Sequence, residues 1–520
     1  MNVLFRIVLM ALRIVQLMLI ARFFGTSNAT DAYMVAMWTP MLVWSLGDTV
    51  LVSALVPYLV SLGVKKGKEA AKESAGGLLS WTFLLSLFFA LLVLAFAPYL
   101  VRLFAPGFAH EHRVLTTRLV RVLTPAIFLS GLTSFLSSLS YAARKFLAPA
   151  VAALIPSLAI ILFLLLFVDR WSIYSVVAGF SSGLAVQLTI LIVALLKHGL
   201  LPRFHWKGLD KNRGVLRRLA PRFGHNLLSQ AISVVDRLFA STLAVGSISI
   251  LAYSFQVARL TPMVIESALG KTLMPLLSKI VAEGKLNSIR EFIPRSIGLI
   301  TFIMAPIALI LIYFRIPVIH ILYQRGNFTS DATMLTAHVF IFYMLAVTSQ
   351  SVRMVFGGVF AATGDTLTPF AIGLLSFLLN IPLNFFLIRL WDLAGIAIAT
   401  LCVSALGMVL TFVRLNAKIG PFRLSLAFKA LVKIALAVVV MGFSIWAIDT
   451  GASMIFNPRR ILGRLALICL CAFMGCIVYL LVCHVLRLKE LLSFRSILGA
   501  RPTDRPREIS VTERGIDEEL

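Results

Sequence analysis

Eight ionisable side chains fall inside long apolar runs of the sequence: Arg13, Asp48, Asp236, Arg237, Arg259, Glu266, Lys271 and Arg353. A charge placed in hydrocarbon is costly, so such residues usually face a cavity or a partner. Arginines suit a phosphate-bearing ligand, because the guanidinium fork can hold two phosphate oxygens at once. Some of these charges can instead meet each other. Arg259 and Glu266 are two helical turns apart, Asp236 and Arg237 are neighbours, and Lys271 can reach the interface by snorkelling. A second group has the chemistry of a cation site. Asn380 and Asn384 are spaced i, i+4 and share one helix face. With Asp236 and Thr400 they offer carboxylate, amide and hydroxyl oxygens, the ligands that hard cations such as sodium take. The sequence carries no His pair at metal-ligand spacing and no glycine loop of the phosphate-cradling kind, which disfavours an ATP-driven pump.

The elements that position these residues must be membrane helices. Of the 520 residues, 60% are hydrophobic and 13% charged, and the mean hydropathy is +0.96, which excludes a soluble enzyme. Nearly uncharged windows of 18 or more residues recur from end to end, whereas the short alternating segments of a membrane barrel are absent. About fourteen segments qualify, at 2–24, 32–61, 76–104, 119–142, 147–168, 173–196, 223–244, 248–278, 296–322, 334–362, 367–389, 393–413, 428–448 and 461–486. The five cysteines all lie inside such segments and read as buried thiols, with no spacing suited to zinc or a disulfide framework. The N-terminal run lacks a small-residue cleavage site and reads as a span, not a signal peptide.

The net charge of +26, from 48 Lys plus Arg against 22 Asp plus Glu, would suggest nucleic acid in a soluble protein. Here the basic residues gather in connections, at 62–75 and above all 197–222, while 25–31 and 244–248 have none. The positive-inside rule then places both termini in the cytoplasm. The segment 197–222 is a basic loop or an interfacial helix, and the polar residues after Arg501 read as a disordered tail.

The two halves of the chain echo each other at an offset of about 218–220 residues. Ala32-Tyr33 recurs as Ala252-Tyr253, Leu55-Val56-Pro57 as Leu273-Met274-Pro275, and Gly107-Phe108 as Gly326 and Phe328. Tyr141-Ala142-Ala143 recurs as Phe360-Ala361-Ala362, and Pro149 as Pro369. Six spans per copy give both copies one orientation, so the repeats are parallel and related by an axis along the membrane normal. The expected fold is an all-α integral membrane protein: two six-helix repeats around a central cavity, plus two extra C-terminal helices. The expected division is a first bundle at 1–200, a basic linker at 201–222, a second bundle at 223–420, the added spans at 421–490 and the tail at 491–520. That architecture is a transporter's.

Several stretches carry a resemblance. They are Ala21-Arg22-Phe23-Phe24-Gly25 with Ala29-Thr30-Asp31-Ala32, Ala105-Pro106-Gly107-Phe108, and Leu273-Met274-Pro275-Leu276-Leu277-Ser278. The more specific ones are Leu322-Tyr323-Gln324-Arg325-Gly326-Asn327-Phe328-Thr329 and Gly364-Asp365-Thr366-Leu367-Thr368-Pro369. On these the chain resembles the MurJ/MviN lipid-linked murein-precursor flippases, within the wider multidrug/oligosaccharidyl-lipid/polysaccharide exporter group. The resemblance implies a sodium site at positions similar to Asp236, Asn380, Asn384 and Thr400, although the family's Asp is replaced at Asn384. It also implies a lipid-tail groove in the two added helices. The family's arginines are missing at several places. Met10, Arg13 and Gln16 stand where its first helix carries two, Pro40-Met41 and Trp44-Ser45 replace its second-helix pattern, and Phe255-Gln256 replaces an Asp-Arg pair. Arg13 and Arg259 lie about one turn from the lost positions.

Residues and resemblance together make Arg13, Arg259, Arg353, Gln256, Asp31 and Asp48 the candidate cavity residues. Asp236, Asn380, Asn384 and Thr400 are the candidate cation ligands. The expected function is flipping of a polyprenyl-diphosphate-linked glycan, lipid II by family default, from the inner to the outer leaflet of the bacterial cytoplasmic membrane by alternating access. No enzymatic activity and no cofactor is expected, with sodium or the membrane potential as the driver. The expected partners are the lipid-linked glycan, membrane lipids and cell-envelope biosynthesis proteins, and no nucleic acid. The alternatives are an exopolysaccharide or O-antigen repeat-unit flippase, a cation-coupled drug exporter, and a polytopic glycan polymerase, which the short outer loops disfavour.

Overall fold

The computed structural model describes residues 2–41, 52–204, 228, 230–283, 286–422, 424–452 and 461–488, and among these every regular element is helical. A membrane-spanning backbone must satisfy its own polar groups, and long uncharged runs do so as helices. The first half contains α1 (Asn2–Phe24), α2 (Asn28–Ala36), α3 (Val52–Lys66), α4 (Lys68–Phe104), α5 (His110–Val122), α6 (Thr124–Ala142), α7 (Leu147–Ala152), α8 (Ile155–Trp171) and α9 (Tyr174–Lys197). The second half contains α10 (230–240), α11 (Ser247–Ala282), α12 (Leu286–Tyr313), α13 (Arg315–Tyr323), α14 (Ser330–Ala362), α15 (Leu367–Trp391) and α16 (Leu393–Ile419), followed by α17 (Leu424–Ala452) and α18 (Ile461–Val485).

Among the described residues ten helices, counting α7–α8 as one, are long and apolar enough to cross a membrane. The pair α5–α6, bent by 41°, makes an eleventh. Pro125 in the first turn of α6 accounts for the bend, since proline has no N–H to continue the ladder. The other three expected segments follow a different pattern. Helix α11 is continuous over 36 residues but contains Arg259, Glu266 and Lys271. The segments 32–61 and 223–244 include residues outside those described. Asp48, most of the 197–222 connection and the tail also lie outside them.

The surface is apolar where lipid would touch it. Phe443 on α17 and Phe473 on α18 are 68% and 66% exposed, which no aqueous surface would favour in such numbers. The interior is where small and polar side chains gather. Ser130, Thr133, Ser138 and Ser140 of α6 are buried and donate to carbonyls three or four residues back. Helices α8 and α9 approach closely at Gly179 and Gly183, where a Cβ would lie 2.8 Å from Ile160 Cα and 2.6 Å from Pro156 Cα. The added pair packs on the second half through α12. There Tyr479 donates to the Phe302 carbonyl at 2.9 Å, and Tyr313 to Asp449 at 3.0 Å.

The Gly364–Pro369 motif has a structural role in this fold. Asp365 accepts from the Thr368 N–H at 3.0 Å and its hydroxyl at 2.9 Å, capping the first turn of α15, and Lys418 at the end of α16 lies 2.7 Å away. The Lys418 ammonium, together with the Thr368 N–H, holds the Asp365 carboxyl down at about 2. A carboxylate with a depressed pKa stabilises the fold above its ordinary value, and that stability is lost as pH falls through the depressed one. Asp365→Ala is therefore expected to destabilise the protein by about 1 kcal/mol at neutral pH. Thermal unfolding of both forms checks this, and the difference should shrink as pH falls from about 4 towards 2.

Candidate functional site

The two halves meet most tightly at the end that carries the connections 25–31 and 244–248. Asp31, at the start of α2, accepts from the backbone N–H of Gly246 at 2.7 Å and of Ser249 at 2.8 Å. Those donors open α11, so a carboxylate of one half caps a helix N-terminus of the other, where negative charge is stabilised. Nearby, the Asn327 N–H donates to the Arg22 carbonyl at 2.9 Å, and the Gly107 N–H to Ser241 Oγ at 3.1 Å. Backbones touch here. A Cβ on Gly107 would overlap the Ser241 carbonyl, and one on Gly326 would overlap the Arg22 carbonyl. Gly107 and Gly326 are 219 residues apart, and so are Arg22 and Ser241. The contact is thus made twice, reciprocally, as a parallel duplication about a two-fold axis requires.

Below this closed end lies a cavity of about 200 Å³. Its polar lining includes Arg13 and Gln16 of α1, Tyr33 of α2, Ser157 of α8, Gln187 of α9, Arg237 of α10 and Gln256 of α11, with Met34 and Phe255 among the rest. Gln16 also hydrogen-bonds the Tyr33 hydroxyl. Among the described residues two arginines and no carboxylate line it, a lining that attracts anions. The volume is below the roughly 300–1,000 Å³ of ordinary small-molecule sites. A glycan head group therefore needs this cavity to open.

Of the candidate cavity residues, Arg13 and Gln256 line this space. Arg259 sits one turn further along α11, its guanidinium 5.9 Å from the centroid of the cavity-lining Phe255 ring. Arg353 is placed elsewhere, inside the second half, where a Cβ on Gly407 would lie 2.7 Å from its Nη1. Asp31 is placed in the closed end, because its carboxylate is taken up by the start of α11. Asp48 lies outside the described residues. Arg237, which pairing with Asp236 would have explained away, is instead a cavity residue. Successive helix residues point about 100° apart, and that spacing was the available signal.

The four candidate cation ligands do come together. Asp236 Oδ1 accepts from Asn380 Nδ2 at 3.2 Å and Asn384 Nδ2 at 3.0 Å, and Oδ2 accepts from Thr400 at 3.1 Å. Asn380 and Asn384 are fully buried, and both of their Oδ1 atoms are without a partner. Turning the two amides over would exchange donors for acceptors at nearly the same positions. The cluster would then present only oxygens, which fits a hard cation such as sodium. Among the described residues no cluster of three His, Cys, Asp or Glu could hold a transition metal.

Two similar helical halves, a cavity between them and a seal at one end define a membrane transporter. Comparison with known proteins agrees at every level. The family model for the lipid II flippase MurJ matches residues 20–481, and the chain belongs to that family. A probable lipid II flippase MurJ of Buchnera aphidicola subsp. Acyrthosiphon pisum is 27% identical over 75% of this chain and 78% of its own. One from Thermotoga maritima is 25% identical over 91% and 93%. Among solved structures, a lipid II flippase MurJ in an inward closed conformation superposes with a TM-score of 0.78 at 23% identity, covering 96% of this chain and 99% of the other. An inward-facing multidrug resistance MATE family transporter of the MOP superfamily gives 0.68 at 12% identity, covering 78% and 94%.

The glycine contacts make the closed end sensitive to a single methyl group. Gly326→Ala should force the halves apart there. With the five native cysteines replaced, three of which are exposed, a Gln256→Cys reporter in the cavity should then react several-fold faster with a bulky maleimide applied from the closed side. Unchanged labelling would mean that the seal lies elsewhere.

Proposed function

We propose that this protein carries lipid II across the cytoplasmic membrane, passing the diphosphate and its glycan through the central cavity while the lipid tail stays in the bilayer. The observation that carries the reading is the cavity itself: among the described residues its charged lining is arginine alone, it sits between duplicated halves, and it is sealed on one side. With both termini cytoplasmic, the sealed side is the outer one, and the described state receives substrate from within. Opening the reciprocal contacts and closing the inner ends would then expose the head group outside. A diphosphate bears about two negative charges, so leaving a negative interior gains roughly 4–5 kcal/mol per 100 mV across the full potential.

Asp236, Asn380, Asn384 and Thr400 would hold sodium in the second half, compensating the buried carboxylate in the empty carrier and resetting it for the next substrate. Sodium that binds only the folded protein raises its stability by mass action. Replacing potassium chloride by sodium chloride at constant ionic strength should raise the unfolding temperature of the wild type but leave Asp236→Ala unmoved. An equal response in both proteins would remove sodium from the account.

The test of substrate is complementation. In bacteria depleted of their own murein-precursor flippase, this protein should restore growth, and Arg13→Ala together with Arg259→Ala should not. Normal membrane levels without rescue would assign the protein to a different lipid-linked glycan.

A further inference from the structure

Asp236 and Arg237 follow one another on α10, so their side chains leave the helix about 100° apart. Asp236 turns into the second half, where Asn380, Asn384 and Thr400 take up its oxygens. Arg237 turns towards the first half and borders two spaces. One is the central cavity, shared with Arg13, Gln16 and Gln256. The other is a slot of about 10 Å³ closed by Val35, Trp38, Phe104 and Val234. Trp38 is held in place by an edge-to-face contact with Phe104, their rings 4.6 Å apart.

Among the described residues that line the slot, two carry side-chain donors and none carries a side-chain acceptor. Arg237 Nη1 is buried without a hydrogen-bond partner among the described residues, and so is Trp38 Nε1. An indole N–H and a guanidinium N–H can only donate. Among the described residues, the buried carboxylates Asp236 and Asp31 are already committed, the first to its cluster and the second to the start of α11. The volume is that of about one water molecule, hence of one oxygen atom.

We propose that Arg237 and Trp38 form an oxyanion subsite of the cavity, filled by one oxygen of the substrate's diphosphate. That oxygen accepts from Arg237 Nη1 and Trp38 Nε1 in the slot, while the rest of the diphosphate stays in the cavity with Arg13. The subsite rests on the reading of the protein as a lipid-diphosphate carrier and adds the atoms that recognise the phosphate. It also gives α10 two tasks on adjacent residues, one towards the cation cluster and one towards the anion.

The test uses the full-length protein in nanodiscs, with undecaprenyl diphosphate as probe and undecaprenol as its phosphate-free control. Binding is read by native mass spectrometry. The wild type should prefer the diphosphate. Arg237→Gln should weaken diphosphate binding about tenfold or more and leave undecaprenol unchanged, as expected for loss of a charge-assisted hydrogen bond. Trp38→Phe keeps the ring and removes only the N–H, and should weaken it about threefold or more. The same losses should appear in phosphatidylcholine and phosphatidylglycerol discs. Losses confined to phosphatidylglycerol would give the slot to bulk lipid phosphate and overturn the proposal. So would diphosphate binding within twofold of wild type in folded Trp38→Phe and Arg237→Gln. A wild type that does not distinguish diphosphate from alcohol would instead defeat the functional reading, and the subsite with it.

Discussion

A polar group inside a membrane has no water to turn to, and this cost decides where the charges of this protein sit. Asp31 is met by the first N–H groups of α11, and Asp236 by two amides and a hydroxyl. Arg353 is packed between helices of the second half, against Gly407. What remains without a partner is as informative as what is satisfied. The amide oxygens of Asn380 and Asn384 and the donors of Arg237 and Trp38 are buried and unmet. The first pair offers acceptors beside Asp236 and the second offers donors beside its neighbour Arg237.

The duplication explains why these sites can be coupled to movement. Each half contributes a glycine to the other's backbone at the closed end, Gly107 on Ser241 and Gly326 on Arg22. Contacts made without side chains are tight and short-ranged, so the halves are either seated or apart. Such an interface favours two discrete states over gradual deformation. Asp31 adds a directed tie between α2 and α11, the helices that also flank the cavity. Loss of the seal and access to Arg13 and Arg237 are therefore one structural event.

The class of fold was legible in the sequence, because apolar runs and a 219-residue echo are both long-range patterns that survive in composition. The meeting of Asn380 and Asn384 on one face was legible too, since residues one turn apart share a side of the helix, and the structure brings Asp236 and Thr400 to them. Charges were harder. Asp31, Arg353 and Arg237 look alike in sequence, each a charge in an apolar stretch with no pattern that says what it faces. Only the packing of other helices assigns one to a helix cap, one to a glycine notch and one to the cavity. The Gly364–Pro369 motif carried the resemblance, and only the structure shows that its aspartate caps α15 and pairs with Lys418. Trp38 gave no signal, because a tryptophan near a helix end is ordinarily a packing residue.

The central claim is that one cavity, open to each side in turn, carries a lipid-linked diphosphate down the membrane potential. The most direct measurement is the movement of fluorescent lipid II between leaflets of proteoliposomes containing this protein. Transport should exceed that of protein-free vesicles and should accelerate when the side the lipid leaves is made negative. Lipid II that stays in its leaflet at the protein-free rate, whatever the potential or sodium gradient imposed, would contradict the account.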